Sequence, residues 1–304
     1  MTAVEPRTAD RSASSVAASP VLSLHDVTVR FGGVAALDGV TLEVAPGEVC
    51  GLIGPNGAGK TTLFDVISGV RRPDTGRVFL AGRDITRASV VRRARSGLRR
   101  TFQRLQTYGW LTVADNVLVA SEWQGGGGGF VADLVGAPTR TRRERARRER
   151  VAEVLDICGL AEVADAPAGS LPIGLARMVE VARALVDRPR LLLLDEPTSG
   201  LDEAERARLA GIVRALGADR TCSVLLVEHD VSFVMGCCDR VVVLDLGRVL
   251  ATGSPEEIQA HPEVRAAYLG EVAPDHRSSS GNPPGEIDPP EPNKPPEPNR
   301  EAGP

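Results

Sequence analysis

The chain of 304 residues carries 36 Lys or Arg against 40 Asp or Glu, a formal net charge of −4, and 42% of it is apolar. That balance is ordinary for a soluble globular protein with a sizeable core, and it excludes a global electrostatic pull toward nucleic acid. The longest apolar runs, such as Leu191 to Leu194, are far too short to span a bilayer, and five cysteines without zinc spacing exclude a disulfide framework.

Taken in chain order, residues 1–20 are rich in Ala, Ser and Thr and are expected to form a disordered tail. VLSLHDVTVRF (21–31) and VTLEVAPGEVCGLIG (40–54) read as strands, TTLFDVISGV (61–70) as a helix ending near Gly69, and VFLAG (78–82) as a strand. From about 104 to 170 there is no strong strand, and GGGGG occupies 125–129. Val151, Val154, Leu155 and Cys158 then fall at i, i+3, i+4 and i+7, one face of a helix, so a helical subdomain is expected over about 104–180. Arg140 to Arg150 holds seven Arg against two Glu with no aromatic, which reads as a solvated helix face.

PRLLLLDEP (189–197), CSVLLVEHD (222–230) and RVVVLDLGRVLATG (240–253) read as strands, and EAERARLAGIVRALG (203–217) has helical spacing. Residues 272–304, with PPEPN at 289–293 and 295–299, hold six acidic against three basic residues and read as a disordered Pro-rich acidic tail. The early strands follow one another closely and the later ones are separated by helices. This pattern predicts an α/β fold with an antiparallel start and a parallel, buried centre.

Three strand ends carry the chemistry. GPNGAGKTT supplies Gly54, Pro55, Asn56, Gly57, Ala58, Gly59, Lys60, Thr61 and Thr62, a phosphate-binding loop between a strand and a helix. Its glycines let backbone N–H groups turn toward phosphate oxygens, and the helix N-terminus adds partial positive charge. Lys60 would pair with the β- and γ-phosphates and the Thr61 hydroxyl would ligate Mg²⁺. Lysine occurs only at Lys60 and Lys294, every other such position being arginine, consistent with a need for a compact ammonium at 60. LLLLDEP carries Asp195 to the end of a buried strand, where it would hold Mg²⁺ through water; Glu196 follows as a candidate general base. VLLVEHD ends in His229, placed to hydrogen-bond a γ-phosphate oxygen.

Together these residues resemble the ATP-binding cassette (ABC) ATPases over residues 21–271. The resemblance implies a P-loop ATPase core with an antiparallel β subdomain and an inserted helical subdomain, and ATP and Mg²⁺ as cofactors. It further implies that Phe31 stacks on adenine, that Gln103 reaches Mg²⁺, and that Ser199, Gly200, Leu201 and Asp202 form the loop crossing to a partner subunit. FGGVAALDGVTLEV, GLRRTFQRLQTYGWLTVADNVLVA and VEHDVSFVMGCCDRVVVLDLGRVLATGSPEEI are similar to the ATPases of branched-chain amino acid importers with a longer helical insert. Urea, amide and lipopolysaccharide transport ATPases are close to these. The alternative class is a soluble non-transport ABC ATPase.

The resemblance implies a second ATPase subunit, identical or related, two membrane permease subunits, an external solute-binding protein, and a place on the cytoplasmic face of the plasma membrane, with no nucleic acid partner. The Arg-rich RRARSGLRRTFQR (92–104) would adjoin the docking groove and reads equally as a solvated surface or as a contact for acidic segments or lipid headgroups. Where the family carries LSGGQ, this chain has Leu171, Pro172, Ile173, Gly174 and Leu175. Gly174 keeps a backbone N–H for a partner's γ-phosphate, while the serine hydroxyl and glutamine amide are gone. Ser170 is the expected helix cap, with Pro172 in the first turn. An intact catalytic set beside a depleted signature predicts pairing with a different cassette that bears a fuller one.

Overall fold

The computed structural model describes residues 19–121 and 138–266. Most of the expected N-terminal tail, the GGGGG run and the acidic tail lie outside the described residues. The strands form two sheets. β1 (Leu22–Phe31), β2 (Val34–Val44), β4 (Thr75–Leu80) and β5 (Arg83–Asp84) make an antiparallel sheet in the order β2-β1-β4-β5. β3 (Val49–Ile53), β6 (Leu98–Arg100), β7 (Leu191–Asp195), β8 (Ser223–Val227), β9 (Arg240–Asp245) and β10 (Arg248–Gly253) make a second sheet in the order β10-β9-β3-β8-β7-β6. Its pairs are parallel except for the β9–β10 hairpin.

The apolar runs in the second sheet are continuous because both faces are covered. Side chains alternate between two buried clusters: Leu192, Leu194, Val224, Leu226, Val241 and Val243 face one, and Leu191, Leu193, Leu225, Val227, Val242 and Leu244 the other. The first cluster is completed by α3 (Val113–Ser121), α4 (Pro138–Cys158), α5 (Ile173–Leu185), α6 (Glu203–Ala218) and α7 (Val231–Cys237). The second is completed by α1 (Lys60–Ser68) and the antiparallel sheet. Each fully buried leucine in β7 contributes roughly 1.5–3 kcal/mol.

Several boundaries differ from the sequence reading. The stretch 40–54 is two strands in different sheets, parted at Gly47, and the first begins at Val34. The stretch 240–253 is a hairpin, turned by Leu246 and Gly247, both with positive φ. Val151, Val154, Leu155 and Cys158 are buried as one face of α4, whose Arg145–Glu149 and Arg148–Glu144 pairs are exposed. The region 92–104 is no uniform solvated surface. It contains α2 (Val90–Arg95) and β6, and Arg93 is fully buried, donating to the Val66, Ile67, Thr86 and Ala88 carbonyls. Among the described residues no helix is long and apolar enough to cross a membrane.

Candidate functional site

β3 delivers the glycine loop from the centre of the parallel sheet. A Cβ on Gly54 would strike the Leu244 carbonyl, and one on Gly59 the Ala36 carbonyl, so the loop's close approach to β9 and β2 requires glycine there. Gly59 is the N-cap of α1, with φ 104°, and offers no side chain to the first turn. The N–H groups at the start of α1 are therefore left for an anion. Lys60 Nζ is folded into the loop, donating to Gly54 O at 2.6 Å and Pro55 O at 2.9 Å. Burial pushes the Lys60 pKa down, and the charge of Glu196 partly opposes that shift. Asn56 to Thr62 share a cavity of about 190 Å³ with Glu196 and His229.

The parallel register sets Asp195 beside Val227, and Glu196 N donates to Val227 O at 2.9 Å. This brings the ends of β7 and β8 together. His229 Nε2 lies 2.8 Å from Glu196 Oε1, and the Gln103 side chain also hydrogen-bonds the Glu196 carboxylate. Burial acts to raise the Glu196 pKa. The hydrogen bonds from Gln103 and His229, and the charges of His229 and Lys60, outweigh it and hold the carboxyl below its ordinary value. Glu196 sits at φ 48°, a left-handed conformation that costs on the order of 1–2 kcal/mol in a residue with a Cβ and re-aims the chain at the strand end.

Asp195 is buried, and its Oδ2 accepts from Arg100 Nη2 at 2.9 Å. Thr61, the second residue of α1, lines the glycine-loop cavity. A threonine hydroxyl and an aspartate carboxylate are hard oxygen donors of the kind Mg²⁺ takes in ones and twos beside substrate phosphates. The described residues contain no cluster of three His, Cys, Asp or Glu side chains able to hold a metal. Phe31 ends β1 with 48% of its surface exposed, and the Arg71 guanidinium lies 4.0 Å from its ring centroid. A base stacking there would share the ring with a cation–π partner.

The signature segment differs from its expected form in detail. Ser170 does not cap α5. It closes a 3₁₀ turn (Ala168–Ser170) and donates to Pro167 O, which leaves Pro172 at the N-cap without a side-chain bond. Ile173 is exposed, whereas Leu171 and Leu175 pack against the core. Leu175 is thus a packing residue here. Gly174 is buried against the Glu205 carboxylate, in the space a Cβ would need. Ser199 and Gly200 form a turn, with Gly200 abutting Ile173. Leu201 is buried, and Asp202 caps α6 in a reciprocal box with Glu205.

The structure also engages residues the sequence reading passed over. Glu228, buried just past the end of β8, accepts from Thr198 N at 2.7 Å and His229 N at 3.1 Å, tying Thr198, which leads into the 199–202 loop, to the backbone at His229. Burial pushes its pKa up. A carboxylate next to His229 after four apolar strand residues was the available signal. Arg177 on α5 donates to Phe102 O and Gln103 O, each at 2.9 Å, and pairs with Glu180, which accepts from Gln106 N. The helix behind the signature thereby grips the segment that presents Gln103.

The family model for the ABC transporter matches residues 37–199, and that for the branched-chain amino acid ATP-binding cassette transporter matches residues 248–274. The chain is 40% identical over 253 residues to the high-affinity branched-chain amino acid transport ATP-binding protein BraF of Pseudomonas aeruginosa, covering 83% of this chain and 99% of that one. It is 39% identical to the corresponding protein LivG of Escherichia coli over the same shares. Its fold matches the crystal structure of the ADP conformation of MJ1267, an ATP-binding cassette of an ABC transporter. The TM-score is 0.70 and the identity 29%, over 83% of this chain and all of that one.

Proposed function

The chain belongs to the ABC transporter family as one of its ATP-binding cassettes, and from that premise we propose that it is the energy-coupling ATPase of an importer for branched-chain amino acids or related small solutes. The observation that carries the ATPase chemistry is the Glu196–His229 contact at the edge of the glycine-loop cavity, with Gln103 on the same carboxylate. The names of its relatives favour transport over a non-transport role. In this reading residues 21–271 form the ATPase domain, with a helical subdomain over about 104–180.

The loop N–H groups from Gly54 to Thr62 and the start of α1 would cradle the phosphates, and Lys60 would exchange its two loop carbonyls for β- and γ-phosphate oxygens. Thr61, Gln103 and, through water, Asp195 would hold Mg²⁺. Bound there, the ion neutralises charge on the β- and γ-phosphate oxygens. Glu196, kept anionic at neutral pH, takes the proton of the attacking water as the water's oxygen bonds to the γ-phosphorus and ADP departs. His229 orients Glu196 through Nε2 and lies at the cavity where it would meet the γ-phosphate. Phe31 would stack on adenine.

Gly174 and the loop from Ser199 to Asp202 would meet the nucleotide of a second cassette. That cassette is a related, non-identical one, because Pro172 and Leu175 supply neither hydroxyl nor amide, and Leu175 packs on the core. Two membrane permeases and, indirectly, an external binding protein complete the assembly on the cytoplasmic face of the plasma membrane. A cavity of about 200 Å³ lined by Phe102, Gln106, Glu180 and Arg183 supports permease docking beside Gln103. Purification of the tagged chain from detergent-solubilised membranes tests this reading. Two membrane-spanning subunits and a second cassette should be recovered with it. Recovery without any membrane-spanning protein would overturn it.

A further inference from the structure

Arg100 occupies an unusual position for a surface-sequence arginine. It stands on β6, next to β7, and its side chain is 7% exposed. Nη2 holds Asp195 Oδ2 at 2.9 Å, while Nη1 holds Asp65 Oδ1 at 2.6 Å and Ser68 Oγ at 3.1 Å. The guanidinium carbon lies 5.6 Å from the Phe64 ring centroid and 5.1 Å from that of Phe102. Among the described residues no donor reaches the other carboxylate oxygen of Asp195, Oδ1.

One cation thus ties the end of β7, which carries Asp195, to α1, which begins at the phosphate loop and carries Thr61 in its first turn. Stability is a poor explanation for it. Buried ion pairs are often matched or bettered by apolar side chains of similar volume, since desolvation offsets their attraction. A planar fork that meets two carboxylates from different elements serves geometry instead. It fixes the rotamer of Asp195, engages one of its oxygens, and sets the separation of the two elements that carry the oxygen donors.

We propose that Arg100 is a positioning residue for Mg²⁺ binding: it presents Asp195 through Oδ1 and holds the Asp195 strand end in register with the Thr61 end of α1. The proposal rests on the reading of the chain as a Mg²⁺-ATP-hydrolysing cassette. Its contribution belongs to the ion and not to the bare nucleotide, which the glycine loop and Lys60 engage without it.

Binding of a fluorescent ATP analogue to the full chain, measured in EDTA and across a Mg²⁺ titration, separates the two. Arg100→Lys keeps the charge but cannot span both carboxylates. It should leave affinity in EDTA within about two-fold of wild type and raise the half-saturating Mg²⁺ concentration on the order of ten-fold, the scale of residues that orient metal ligands. Asp65→Asn takes the charge from the anchor on α1 at a partly exposed site, weakening the pair while its amide oxygen can still accept from Arg100, and should shift the Mg²⁺ dependence in the same direction by a smaller factor. If Arg100→Lys does not fold, Asp65→Asn decides alone. An unchanged Mg²⁺ dependence, or a loss equal in EDTA and Mg²⁺, would overturn the proposal. Wild-type protein that binds no nucleotide in either condition would instead remove the ATPase reading beneath it.

Discussion

His229 Nε2 and Glu196 Oε1 meet at 2.8 Å across the ends of two parallel strands, and this contact joins two motifs 33 residues apart in sequence. The register of β7 on β8 produces it, since Asp195 pairs with Val227 and the next residues of each strand leave the sheet side by side.

Glu196→Gln should therefore keep nucleotide binding and lower single-turnover hydrolysis on the order of a hundred- to ten-thousand-fold, the usual reach of a positioned general base. The amide preserves shape and a hydrogen bond to His229 but takes no proton. Rapid-quench hydrolysis beside equilibrium nucleotide binding checks this, and hydrolysis at the wild-type rate would remove Glu196 from the base role.

Glu228 gives a pH signature in stability. Burial raises its folded pKa above the unfolded value, so its contribution is complete below the unfolded pKa and is lost as pH rises through the folded one. Glu228→Gln presents an amide donor to one of the two backbone N–H groups the carboxyl serves. The variant should be less stable by roughly 1–3 kcal/mol at acidic pH, with the deficit shrinking as pH rises. Urea unfolding from pH 4.5 to 8 measures the gap; a gap that widens with pH contradicts the assignment.

The signature segment yields an asymmetric prediction. Pro172→Ser with Leu175→Gln restores a hydroxyl and an amide facing a partner's nucleotide, and each charge-assisted bond to phosphate is worth about 1.5–3 kcal/mol. The isolated chain should then hydrolyse ATP on the order of ten-fold faster, after some loss of stability from taking Leu175 off the core. Steady-state ATPase assays of the purified variant check this; wild-type chain that is already fully active as a homodimer would contradict the pairing argument.

The centre of the fold was legible because its strands are buried on both faces: LLLL and VLLV announce themselves without their partners. The phosphate loop was legible because glycine, lysine and threonine carry its chemistry at fixed spacing. The hairpin at 246–247 was not, since Leu246 continues an apolar run yet stands 80% exposed at a turn. β6 was hidden by its length of three residues and its two arginines, which become a strand only when β7 supplies the ladder. The partners of Arg100 lie 35 and 95 residues away, so only the folded chain reveals that this arginine is buried between carboxylates. Leu175 looked like a lost amide in the linear pattern. Its spacing from Leu171 and Val179, which share the core with it, carried the packing role as well.

Uptake of radiolabelled leucine by cells that lack this chain and express either wild-type or Glu196→Gln protein at equal levels tests the central claim most directly. The account predicts that wild-type protein restores uptake and that Glu196→Gln leaves it at background. Leucine, isoleucine and valine uptake that is the same with wild-type protein, with the variant and with neither would contradict it.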